Sequence, residues 1–215
     1  MVIYVLVFNI IFIIQIMLAI FARITRYKIA ERYDYPLGSM TSSSEALENY
    51  VKIYRQVNIK VHNVMPSPAI AEEEFVIINR DKIYDSTLYT NFFTLFQLVL
   101  SKKENGFARK VFLIQNFLFF LQLVLFVLSL ILQINWSNVL IIGAIALQVI
   151  NILLSIFGFI NYQEILEEAF EVSADLLDLD EVEQARAESL QNDLAYTVYE
   201  YPFEFFKRLF SFVIP

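Results

Sequence analysis

Residues 111–161 read VFLIQNFLFFLQLVLFVLSLILQINWSNVLIIGAIALQVINILLSIFGFIN, two apolar runs joined by Asn135-Trp136-Ser137-Asn138, and neither run carries a charge. The first run, 111–134, has 24 residues and the second, 139–161, has 23. A helix rises about 1.5 Å per residue, so each run covers the ~30 Å hydrocarbon core of a bilayer with room for tilt. The four-residue link leaves space only for a tight antiparallel return. The stretch therefore predicts a transmembrane helical hairpin.

Moving outward, residues 1–22 are also uncharged, and the apolar run 2–21 is long enough to span. Its positive charges, Arg23, Arg26, Lys28 and Arg32, follow the run instead of preceding it, which predicts an uncleaved anchor over 1–22 rather than a signal peptide. Residues 22–110 hold 13 Lys and Arg, and residues 162–215 hold the remaining 3 of 16. By the positive-inside rule this places the amino terminus outside and both the loop 23–110 and the carboxy-terminal tail in the cytoplasm. The expected setting is a cell membrane, crossed three times.

Composition limits the chemistry. The 215 residues are 58% hydrophobic, contain no cysteine, and include one histidine, His62. Disulfides, thiolate zinc sites and cysteine nucleophiles are thereby excluded, and one imidazole is too few for an ordinary zinc centre. No metal and no cofactor are expected. Only Gly38, Gly106, Gly143 and Gly158 exist, and none builds a phosphate loop. A pI near 4.8 without a dense basic patch argues against nucleic acid. The acid lies mostly in the tail, where residues 162–215 hold 13 Asp and Glu against 3 Lys and Arg. Paired carboxylates there lie in amphipathic helices with no sign of a protease pocket.

Between the anchor and the hairpin the pattern changes period repeatedly, so 23–110 reads as a folded α+β domain. Ser42 with Glu45 is a capping box opening a helix to about Gln56, with Leu47, Tyr50, Val51, Tyr54 and Val57 as its apolar stripe. Residues 59–62 and 74–79 read as two strands, separated by an extended turn at Met65-Pro66-Ser67-Pro68. His62 falls on the polar phase of the first. After the N-cap cluster Asp85-Ser86-Thr87 comes an apolar helix, 86–101, too short to span. Within the hairpin, Gln115 and Gln122 repeat at seven on one helix, while Gln148, Asn151 and Ser155 share a face of the other. Amides in lipid need partners, so these five are expected to make interhelical polar contacts. A polar transport path would want ionisable groups at mid-membrane, and there are none. The tail is expected to give acidic cytoplasmic helices over 162–201, the first of them continuing the third span from Tyr162 to Glu171 as an amphipathic helix, and an interfacial aromatic segment over 202–215.

This order of parts resembles the YugP-like neutral zinc metallopeptidases of bacterial membranes. The local text that carries the resemblance is Arg26-Tyr27-Lys28 with Tyr33, Ser44-Glu45-Ala46, Val57-Asn58-Ile59-Lys60-Val61, Phe75-Val76-Ile77-Ile78, Tyr84, and Phe170-Glu171-Val172-Ser173-Ala174. The resemblance implies a zincin-like domain in a bacterial inner membrane, with His-Glu-x-x-His on the helix after Tyr84. Two imidazoles one turn apart would bind zinc, and the glutamate would activate its water. That window falls on Phe96-Gln97-Leu98-Val99-Leu100, so Phe96 and Leu100 replace the histidines and Gln97 replaces the base. The family's third ligand falls on Ala169.

The sequence thus predicts a mainly α integral membrane protein with a degenerate, catalytically inactive metallopeptidase-like domain. Its expected role is as subunit, scaffold or regulator through contacts with another membrane protein. The alternatives are a self-assembling structural protein, its hairpin amides joining a homo-oligomer, and a peptidase completed by ligands from another chain.

Overall fold

A computed structural model describes residues 2–54, 58–63, 68–71, 75–102, 106–132 and 136–203. The element order is α1 (Val2–Arg32), α2 (Ser43–Tyr54), β1 (Asn58–His62), β2 (Ala69–Ala71), β3 (Phe75–Asn79), α3 (Leu88–Ser101), α4 (Gly106–Ile131), α5 (Ser137–Leu177) and α6 (Glu181–Ala195). A 3₁₀ turn, Arg80–Lys82, follows β3, and a second 3₁₀ stretch, Tyr196–Phe203, follows α6. The expected turn at 65–67, the helix end at 55–57 and most of the segment 202–215 lie outside the described residues.

Among the described residues, three helices are long and apolar enough to cross a membrane, namely α1, the stretch 110–131 of α4, and α5. They are compatible with a multi-pass membrane protein. Helix α1 outruns its expected segment, whereas α5 continues into the tail as the sequence leads one to expect. Helix α1 continues ten residues past 22 to Arg32, because Arg23, Arg26 and Lys28 are good helix formers and no Gly or Pro intervenes. Helix α5 runs unbroken for 41 residues from the apolar run into the acidic sequence. It stops where Asp178 takes a left-handed backbone, φ 49°, as a short polar side chain tolerates. Ser137 and Asn138 belong to α5, not to the link between the apolar helices, as Ser137 opens that helix.

The chain divides into two units. The first contains Met1–Ile24, Lys110–Ile160 and Tyr196–Pro215. In it, α1 and α4 meet through stacked rings, Phe8 with Phe126 at 4.0 Å and Phe12 with Phe119 at 5.8 Å. Helices α4 and α5 come close at the glycines. A Cβ on Gly143 would sit 3.6 Å from Leu125, and one on Gly158 would sit 3.5 Å from Phe112. The 3₁₀ stretch returns to α5, with Tyr199 stacked 6.0 Å from Phe159.

The second unit contains Thr25–Arg109 and Asn161–Ala195. Its sheet has the order β1-β3-β2, with β1 parallel to β3 and β2 antiparallel to β3. The sequence reading anticipated two strands and missed β2, which has only three residues, two of them alanine, and so shows no alternation. Of the strand expected over 74–79, Phe75–Asn79 forms β3, and Glu74 lies outside the described residues. The centre of this unit is α3, in which every residue from Leu88 to Leu100 is buried. It starts at Leu88, straight after the expected N-cap cluster, and Thr87 is the extended N-cap whose hydroxyl accepts from the Thr90 N–H. Helix α2 has the expected capping box, the Ser42 N–H donating to Glu45 Oε2 at 2.9 Å. Its buried face is Ser43, Ala46, Leu47 and Tyr50, whereas Val51 and Tyr54 of the expected stripe are exposed and Val57 lies outside the described residues. The reason is the partner: α2 packs on α3 through its narrow Ala46-Tyr50 side, so the wider stripe is not covered.

Candidate functional site

Phe96, Gln97 and Leu100, the positions that the resemblance picks out, lie on α3. Phe96 is fully buried, with its ring edge-on to Tyr162 of α5 at 5.1 Å and tilted against Phe93 at 5.9 Å. Leu100 and Ala169 are likewise buried in the second unit. An aromatic edge-to-face pair is a packing contact, worth about 0.5–1.5 kcal/mol beyond the area it buries. Gln97 has a specific partner: its Oε1 accepts the backbone N–H of Ala71 at 2.8 Å. An edge strand leaves a row of unpaired backbone groups, and here a buried amide from α3 occupies one of them on β2. Gln97 is therefore a neutral clip between helix and sheet.

Around these residues, α3 carries a buried polar stripe at helical spacing, Thr90, Asn91, Thr94 and Gln97, which starts one turn after the half-buried N-cap Thr87. Asn91 Nδ2 donates to the Thr41 carbonyl at 3.0 Å, tying α3 to the loop before α2. Its start is organised by Asp85, whose carboxylate accepts from Lys82 Nζ at 2.9 Å, from the Thr87 N–H at 3.1 Å and from the Thr90 hydroxyl at 3.2 Å. Burial alone would raise the Asp85 pKa, but the Lys82 bond and the Thr87 and Thr90 donors outweigh it and hold the carboxyl below its ordinary value.

The sequence reading did not anticipate how the tail helix joins this unit. Asp180 and Glu183 form a capping box at the start of α6, the Glu183 N–H donating to Asp180 Oδ1 at 2.7 Å. The same Glu183, only 7% exposed, also accepts the Gly38 N–H at 2.6 Å. Further along, Tyr33 donates to Asp193 at 2.9 Å, and Arg32 reaches the same carboxylate at 3.2 Å. Burial, then the bond to Asp193, pushes the Tyr33 hydroxyl up to about 12. Arg186 lies over the Tyr35 ring at 4.7 Å. The Asp-x-x-Glu spacing was a readable signal for the cap, while the long-range partners had none. A lysine at the end of α3, Lys102, pairs with Glu168 of α5.

In the first unit the five interhelical polar residues have these places. Gln115 Nε2 donates to Ser155 Oγ at 2.9 Å, and Asn151 Nδ2 donates to the Gln115 backbone carbonyl at 3.2 Å. Gln122 and Gln148 instead reach α1. Gln122 Nε2 donates to Gln15 Oε1 at 3.1 Å, and Gln148 Nε2 to the Phe8 carbonyl at 3.2 Å. Gln15 had no signal to mark it, since the anchor's two amides, Asn9 and Gln15, are six residues apart and fall on no common helical repeat.

His62 is exposed, as is all of β1. Among the described residues no group of three or more His, Cys, Asp or Glu side chains is gathered closely enough to hold a metal ion. No family model, no curated protein and no solved structure matches the chain.

Proposed function

We propose that this chain is a non-catalytic, metallopeptidase-like membrane protein acting as a subunit, scaffold or regulator of a membrane protein complex. In this reading the α+β unit is zincin-like and cytoplasmic, and the amino terminus lies outside, as the distribution of Lys and Arg favours. The observation that carries it is the window on α3, where Phe96 packs on Tyr162 and Gln97 holds the Ala71 N–H. Those side chains serve cohesion where a peptidase of the resembling family would need a wet metal cleft. A neutral amide is also a poor proton acceptor near neutral pH.

The self-assembling alternative loses its proposed driver. Gln115, Gln122, Gln148 and Asn151 are buried within one chain, so an oligomer would need a different surface. Purification from native membranes in mild detergent, with mass-spectrometric identification and stoichiometry, tests the proposal. A stoichiometric membrane partner is the expected result, and recovery of the protein alone overturns it. Robust zinc-dependent peptide cleavage by the unaltered protein would also sink it. The combined change Phe96→His, Gln97→Glu and Leu100→His should remain inactive without Ala169→Glu.

A further inference from the structure

The apolar bundle of the first unit contains a seam of buried amides with an unusual imbalance. Gln115, Gln122, Gln148 and Asn151 are each at most 1% exposed, and each uses a side-chain N–H on a protein acceptor. The four side-chain oxygens meet no donor among the described residues. Turning the amides over does not help. A reversed Gln148 would set its oxygen against the Phe8 carbonyl, and a reversed Asn151 against the Gln115 carbonyl, acceptor on acceptor. Ser155 cannot serve Gln115 Oε1 either, because its hydroxyl donates to the Asn151 carbonyl at 3.0 Å. A buried acceptor left without a donor is costly, so four of them in one bundle call for a partner.

The seam has two levels. Gln115 and Gln122 lie seven residues apart on α4, about 10 Å along the axis, so no small ligand reaches both. Gln115 shares its level with Asn151. The contacts of Leu125 at Gly143 and Phe112 at Gly158 fix an antiparallel register that sets Gln122 level with the turn holding Gln148. Each level thus offers two neutral amide oxygens. Two such oxygens replace too little of a cation's hydration shell, and the apolar runs 2–21, 111–132 and 139–161 carry no carboxylate to assist them. Water fits better: it brings two O–H donors, and its oxygen can accept the second N–H that each amide still has.

We propose that the bundle binds internal water at these two levels, Gln115 with Asn151 and Gln122 with Gln148, so that a chain read as lipid-embedded has a hydrated core. This stands apart from the proposed role of the α+β unit. The test is solid-state NMR of the full chain in phospholipid bilayers, with labelled Gln, Asn, Ala and Ile, following polarisation transferred from water. The expected result is build-up at the four side-chain amides, with none at the backbone amides of Ala144 and Ile141, which are equally buried in the same bundle. In the double variant Gln122→Leu with Gln148→Leu, the build-up at Gln115 and Asn151 should remain. Four amides as dark as Ala144 in the unaltered protein would overturn the proposal, whether or not the double variant folds.

Discussion

Buried glutamines do different work in the two units, and the contrast shows what each environment demands. Gln97 of the second unit uses its oxygen, accepting a strand N–H that would otherwise be orphaned. Gln122 and Gln148 of the first unit use their nitrogens and leave their oxygens over. In the second unit loops and strand edges present free N–H groups, so acceptors are in demand. Glu183 on Gly38 and Asp85 on Thr87 answer the same need with full charges. Inside apolar helices every N–H is already used by the helix, and only carbonyls and other side chains remain as partners. Amides suit that setting because they donate without a charge.

The largest test of this comparison is Phe96→Ala. Emptying a fully buried aromatic site against Tyr162 should destabilise the second unit by about 3–5 kcal/mol. Segment-resolved hydrogen exchange should show the loss on α3 and not on 2–24 or 110–131. If the site were a hydrated cleft, the cost would be small. Gln97→Leu comes next. It leaves the Ala71 N–H without its acceptor and should cost about 1–3 kcal/mol, with exchange rising on β2 specifically. An unchanged Ala71 amide would show that the clip is dispensable.

A smaller effect is expected from Tyr33→Phe, about 1 kcal/mol from the lost bond to Asp193. Its pH dependence is more telling. The Tyr33 pKa is raised from 10.0 to about 12 in the folded protein, so its contribution is complete below pH 10 and is lost as pH rises from 10 towards 12. Phenylalanine at 33 should flatten alkaline unfolding in that window, as read by circular dichroism against pH. The smallest effect belongs to Arg32→Ala. Its ion pair with Asp193 has side-chain exposures of 69% and 36%, and the change should cost less than about 1 kcal/mol in thermal unfolding and shrink further with added salt.

The order of legibility follows the range of the interactions. Three spans could be read because apolar length is a property of consecutive residues, and the caps at Ser42 and Thr87 because their partners lie three residues away. Strand β2 was hidden, since three residues give no period and its place depends on β3 and on Gln97. The exposed half of the α2 stripe was misjudged for the same reason: Val51 and Tyr54 are apolar enough for a core, but α3 covers only one side of the helix.

What the sequence determined by itself was therefore local and compositional: three apolar helices, no cysteine, one histidine, and amides in place of charges along the apolar runs. What only the tertiary structure decided was pairing. It gave Gln122 to Gln15, Gln148 to Phe8, Gln97 to Ala71 and Glu183 to Gly38, partners 26 to 145 residues apart in the chain. A hydrogen bond needs its atoms within a few tenths of an ångström of one separation. Over such chain distances no spacing rule applies, and only the packed elements bring donor and acceptor together.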